Sequence, residues 1–181
     1  MAFKYQITNQ DGIYFMTTTV IGWIDAFTRK ELAEVVIESL IYCQKHKGLV
    51  IYAWCLMPSH LHFIASVDEG KRLSDVIGDF KKFTSKRIIS TIKEINESRD
   101  WMLNKFQFAA KTHPKNEEFK FWQDGFHPIE LFSPEFAIQK LNYLHQNPVK
   151  SSLVALPEHY LYSSASSYSG ELGLIDVVYL T

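Results

Sequence analysis

The chain is short of cysteine, of long apolar runs and of net charge. Its two cysteines, Cys43 and Cys55, supply no disulfide framework and fit a reducing cytosol. No apolar run approaches the ~18 residues of a membrane-crossing helix, so no membrane partner is expected. The opening stretch, "MAFKYQITNQDG", lacks the apolar segment of a signal peptide, and the expected location is cytoplasmic. A net charge of −1 gives no global attraction to nucleic acid, so any such argument must rest on local charge. No repeat or low-complexity linker divides the chain. The expected organisation is one domain over 1–181, with 149–181 as a C-terminal tail.

What is present is a core: 46% of residues are hydrophobic and 14% aromatic. Residues 11–23 are β-branched and aromatic and predict a strand. Thr28 and Glu31 have capping-box spacing, so a helix is expected from about Arg29, stopping at Gly48. "LVIYAWCLM" (49–57) and "HLHFIASV" (60–67) predict two strands joined at Pro58-Ser59. Ser74 is the expected N-cap of a second helix running to about 96. Residues 97–118 lack a clear period and read as loop or ragged helix. Residues 118–132 predict a strand and a turn at Asp124-Gly125. Ser133-Pro134 opens a third helix, expected to end near Asn147 because Pro148 follows. The order is that of an α+β, ferredoxin-like (βαββαβ) antiparallel sheet. Two long helices would cover one face, and an added C-terminal helix carrying Tyr143 could cover the other.

"CLMPSHLHFI" (55–64) is the stretch that carries chemistry. Residues i and i+2 of a strand share a face, so His60 and His62 stand side by side while Leu61 and Phe63 point the other way. Paired neutral imidazoles are metal ligands that need further donors. The plainer reading is a polar sheet face. On the third helix, "LNYLHQNPVK" (141–150) puts Tyr143 and Asn147 four apart, on one face. Asn147 offers an amide oxygen to a hard cation, and Tyr143 a phenolic nucleophile. Packing for Tyr143 and a C-cap for Asn147 are the plainer alternatives. His145 is one residue off that face and is expected to be a surface or packing residue.

"MPSHLHFI" followed by "YLHQNPVKSSLV" resembles the single-tyrosine HUH transposases. With "FWQDGF" before that helix and "YSSASSY" after it, the chain is most similar to the REP-associated tyrosine transposases, over roughly residues 11–168. "SSL" after "NPVK" and "GFHPIEL" after "WQD" depart from the family pattern without touching the ligands or the nucleophile. The resemblance implies metal-dependent nicking and rejoining of single-stranded DNA beside a REP-like hairpin. It assigns Mg²⁺ or Mn²⁺ to His60 and His62, with Asn147 as third ligand. Tyr143 would be the catalytic nucleophile, leaving a 5′-phosphotyrosine and a free 3′-hydroxyl. Monomer and homodimer both stay open.

For DNA contact the local charge lies in "FKKFTSKRI": Lys81, Lys82, Lys86 and Arg87, with Thr84 and Ser85 as further phosphate donors. The plainer reading is a solvated helix face. Trp54 and Trp122 are candidates for base stacking or, more simply, for the core. Two other functions stay open. One is a ferredoxin-like nucleic-acid-binding module, although the chain has no RNP motif. The other is a metal-dependent hydrolase or oxygenase using the histidines alone, for which Asp68 is the only nearby acidic candidate.

Overall fold

Alternation along His60–Val67 decides how the sheet is used. Leu61, Phe63, Ala65 and Val67 enter a large apolar core. His60, His62, Ile64 and Ser66 face the other way. The computed structural model describes residues 7–95, 98–111 and 118–180. Its elements are β1 (Tyr14–Thr19), α1 (Lys30–Lys47), β2 (Leu49–Met57), β3 (His60–Val67), α2 (Leu73–Glu94), α3 (Trp101–Lys111), β4 (Ile129–Glu130), α4 (Pro134–Lys150) and α5 (Ala165–Tyr168). The strands form one antiparallel sheet in the order β2-β3-β1-β4. This is the α+β, ferredoxin-like arrangement that the element order predicts.

The large core lies between the sheet and α1 and α2, through Leu32, Val36 and Leu40 of α1 and Ile77, Phe80 and Ile88 of α2. A smaller core on the opposite face joins Phe15, Ala53, Cys55, Met57 and Ile64 to Leu141 and Leu144 of α4. One irregularity lets β2 serve both. Its register with β3 shifts between Ile51 and Ala53. The extra residue, Tyr52, resets the alternation, so Leu49 and Ile51 before it and Trp54 and Leu56 after it all reach the large core.

Several local expectations need correction. Thr28 does not cap α1: its hydroxyl donates to Asp25 O within a 3₁₀ turn, and α1 begins after Arg29. Ser74 lies inside α2, bonded to Asp75, and Arg72 holds the cap position. Gly48 does end α1, left-handed at φ 69°. Pro148 does not stop α4. It sits in the last turn, where its missing N–H forgoes a single bond, and the helix continues to Lys150. The 97–118 stretch contains a true helix, α3, which buries Met102, Phe106 and Ala110 four residues apart. Its ends at 97 and 112–117 lie outside the described residues. The strand expected within 118–132 shortens to Ile129–Glu130 plus a bridge from Val20 to Trp122.

The C-terminal stretch closes the free edge of β2. Leu56 N donates to Tyr162 O at 2.8 Å, Ser164 N to Trp54 O at 2.9 Å and Val178 N to Ile51 O at 2.9 Å. Among the described residues no helix is long and apolar enough to cross a membrane.

Candidate active site

The two imidazoles stand at the N-terminal end of β3, on the face that α4 only partly covers. Their ring centroids are 4.6 Å apart. His62 is 6% exposed and His60 half-buried. Each is held through one nitrogen. His62 Nδ1 meets Thr17 Oγ1 at 2.7 Å, the hydroxyl coming from its cross-strand partner on β1. His60 Nδ1 meets Ser59 Oγ at 3.1 Å. When each Nδ1–H donates to its hydroxyl, both Nε2 lone pairs are left for a ligand. Burial pushes His60 down to about 4. Burial, with His60 and Lys140 adding to it, pushes His62 down to about 3. Both rings are therefore neutral near pH 7, the form that binds cations.

The stripe of α4 that faces them follows from helical spacing. Ala137, Leu141, Leu144, His145 and Pro148 are buried. Lys140, Tyr143, Asn147 and Lys150 form the adjoining stripe at three- and four-residue steps. The Tyr143 ring stands edge-on to His62, with centroids 5.6 Å apart, and to Phe15 at 5.9 Å. Phe15 in turn stacks on His62 at 5.4 Å. Lys140 Nζ lies 5.8 Å and Lys150 Nζ 5.5 Å from the centre of the Tyr143 ring. Tyr143 remains 42% exposed, so its hydroxyl is within reach of a large substrate.

Asn147 is half-buried, and its Nδ2 is buried with no hydrogen-bond partner. A half-turn of the amide puts Oδ1 in the same position, converting an orphan donor into a free acceptor. Among the described residues no cluster of three or more His, Cys, Asp or Glu could hold a metal ion. Two neutral imidazole nitrogens on one strand face are a partial donor set for a divalent cation, which needs further oxygen ligands to complete its shell. Asp68 is at the far end of β3, paired with Lys71 at 3.7 Å.

Other residues singled out in the sequence are placed elsewhere. His145 is buried, with Nε2 2.9 Å from Ser164 Oγ, and is a packing residue. Trp54 and Trp122 belong to the core, which removes them as stacking platforms. Thr84 is also buried, donating to Phe80 O and accepting from Trp122 Nε1, and has no hydroxyl to spare for a phosphate. The Lys81 ammonium donates to Gln123 O at 2.7 Å and to Gly125 O, tying α2 to that turn. Arg87 pairs with Glu94 at 2.9 Å. Lys82 and Lys86 are exposed on the outer surface of α2, beside a groove of about 720 Å³ between α1 and α2. That groove is across the sheet from the histidines. The cations beside the Tyr143 ring, Lys140 and Lys150, were legible only as positions three before and seven after Tyr143. Thr17 and Ser59 carry no sequence signal at all.

Residues 23–113 match the family described as "Transposase IS200 like". That span includes both histidines and ends before Tyr143. Among solved structures the chain is similar to a REP-associated tyrosine transposase bound to a REP hairpin. The TM-score is 0.67 and the sequence identity 16%, over 100% of this chain and 94% of that one. At this identity the likeness speaks for the fold. No curated protein matches the chain.

Proposed function

Because the chain belongs to the IS200-like transposase family and is a DNA transposase, we propose that it nicks and rejoins single-stranded DNA at a hairpin through a phosphotyrosine on Tyr143. The observation that carries this reading is the packing of the exposed Tyr143 ring against His62. Two tyrosines of the C-terminal tail are poorer nucleophiles. Tyr160 donates its hydroxyl to Leu56 O at 2.8 Å and Tyr168 to Tyr52 O at 3.0 Å. Burial raises both phenols above the ordinary range.

His60 and His62, with Asn147, would hold Mg²⁺ or Mn²⁺. Once bound, the ion would polarise the scissile phosphate and offset the charge that builds on it. Thr17 and Ser59 fix the imidazole orientation. Lys140 and Lys150 would meet the non-bridging phosphate oxygens as point charges. Tyr143 Oη gives up its proton and attacks phosphorus, the P–O3′ bond breaks, and the 3′-oxygen leaves and takes up a proton, so none is gained or lost overall. The strand stays on the enzyme as a 5′-phosphotyrosine ester. One phosphoester has replaced another, so an incoming 3′-hydroxyl can reverse the step without a nucleoside triphosphate. A hairpin partner is our extension from the related transposase, whose structure contains one.

The test is incubation with hairpin-bearing single strands and Mn²⁺, followed by a denaturing gel. The parent should give a covalent adduct. Tyr143→Phe should bind the hairpin but give neither cleavage nor adduct, and His60→Ala or His62→Ala should abolish metal-dependent cleavage. Cleavage by Tyr143→Phe with no adduct would mean that water attacks, and would refute the phosphotyrosine route.

A further inference from the structure

A cleft of about 330 Å³ opens beside His60, between the turn at 21–25 and α3. Two features of this turn are costly unless something uses them. Gly22 and Trp23 are both left-handed, at φ 64° and 55°. Glycine accepts that conformation freely, but a bulky aromatic residue does not. The conformation does not bury the indole either: Trp23 is 61% exposed, its ring edge-on to His60 with centroids 5.4 Å apart.

The opposite wall repeats the pattern. Because α3 buries Met102, Phe106 and Ala110, its Trp101 and Lys105 face outward, one turn apart, and Trp101 is 48% exposed. Asp25 pairs with Arg99 at 2.8 Å, which pins the start of α3 to the turn. The cleft therefore offers two exposed indoles and an ammonium, held by a salt bridge and a buried helix face, in contact with a candidate metal ligand.

We propose that this cleft binds one unpaired base of the DNA strand, next to the scissile phosphate, with Trp23 and Trp101 as stacking surfaces and Lys105 on the adjoining backbone. The proposal rests on the DNA-cleavage reading above. A nucleobase fits because it has two π-faces, a charged tether and little need for specific donors. Its position follows from continuity: a nucleotide touching Trp23 lies beside His60, and so beside the phosphate that the site would hold.

The experiment uses the full chain carrying Tyr143→Phe, so that binding is read without cleavage. Each nucleotide flanking the hairpin is replaced in turn by an abasic residue. One position should weaken binding about tenfold or more, the range for loss of a base–aromatic stack. Trp23→Gly, which suits the left-handed backbone, should weaken the intact strand by a similar factor and have no further effect on that abasic strand. Trp101→Ala should behave alike, and Trp23→Phe should recover most of the affinity. If the two losses add, or if no abasic position matters, the base pocket is refuted. The parent's covalent adduct is read separately. An adduct without any dependence on Trp23 or Trp101 overturns only this inference. A base-dependent loss of binding with no adduct supports the cleft and overturns the cleavage reading.

Discussion

Replacing Thr17 by Val removes one hydroxyl and keeps nearly the same side-chain volume, on a strand where Val is at ease. The loss falls on His62, whose Nδ1 lies 2.7 Å from that hydroxyl. Removing the group that orients a metal-ligating histidine costs about 10- to 100-fold in metal affinity, or about 1.4–2.7 kcal/mol. His62 is only 6% exposed, so water has little room to replace the hydroxyl. The expectation is therefore the upper part of that range, about 30- to 100-fold. The fold should lose less: one unmet buried imidazole N–H is worth about 1–2 kcal/mol, or about 2–8 °C in melting temperature for a chain of this size. The assay is the Mn²⁺ dependence of single-turnover cleavage, with metal affinity by calorimetry. Thr17→Ser keeps the hydroxyl and should titrate close to the parent. If Thr17→Val needs no more Mn²⁺ than the parent, Thr17 does not set the His62 imidazole for metal binding.

Ser164→Ala should destabilise the fold by about 2–3 kcal/mol, since it strands His145 Nε2 and the buried Trp54 N together; a melting temperature within a degree of the parent would refute that account. Lys82→Ala with Lys86→Ala should flatten the dependence of log affinity on log salt by about 0.7 for each single-strand phosphate that is no longer neutralised. An unchanged slope would leave the outer surface of α2 as solvated charge. Burial pushes Cys43 up to about 11 and Cys55 up to about 12, so neither is a thiolate at pH 8. Iodoacetamide should label no cysteine in the folded protein and two in guanidinium, by intact mass; rapid labelling of the native chain would show that the thiols are not buried.

The sheet and its chemistry were legible for different reasons. Strands β2 and β3 run over the residues that the apolar stretches 49–57 and 60–67 mark out, because alternation and a tight turn are local properties. The pairing of His60 with His62 on one face follows from the same alternation. The approach of Tyr143 to His62 could be framed as a helix laid on an open sheet face, but only the packing of Leu141 and Leu144 brings it about. The helix starts misled because the Thr28 and Ser74 hydroxyls donate to nearby oxygens, Asp25 O and Asp75 Oδ1, and do not accept from the helical N–H groups. Helix α3 was obscured because its outer face also carries apolar residues, with Trp101 and Phe108 exposed, although Met102, Phe106 and Ala110 hold a helical period. Thr17 was out of reach altogether. It is one of three consecutive threonines in β1, and its role comes from register with β3, a pairing across 45 positions of chain.

The cover on β2 has a consequence for how the protein behaves in a tube. Leu49–Met57 is a nine-residue strand, rich in β-branched and aromatic side chains, and Ile51, Trp54 and Leu56 give their outer backbone groups to the last thirty residues of the described chain. A truncated chain ending after Lys150 would present those groups bare. It would also keep the two histidines, Tyr143 and Asn147 intact on paper. Such a fragment would lose activity by precipitating, strand edge against strand edge, long before it lost any catalytic group. Loss of function on trimming the C-terminus is therefore to be judged by light scattering before it is credited to the chemistry.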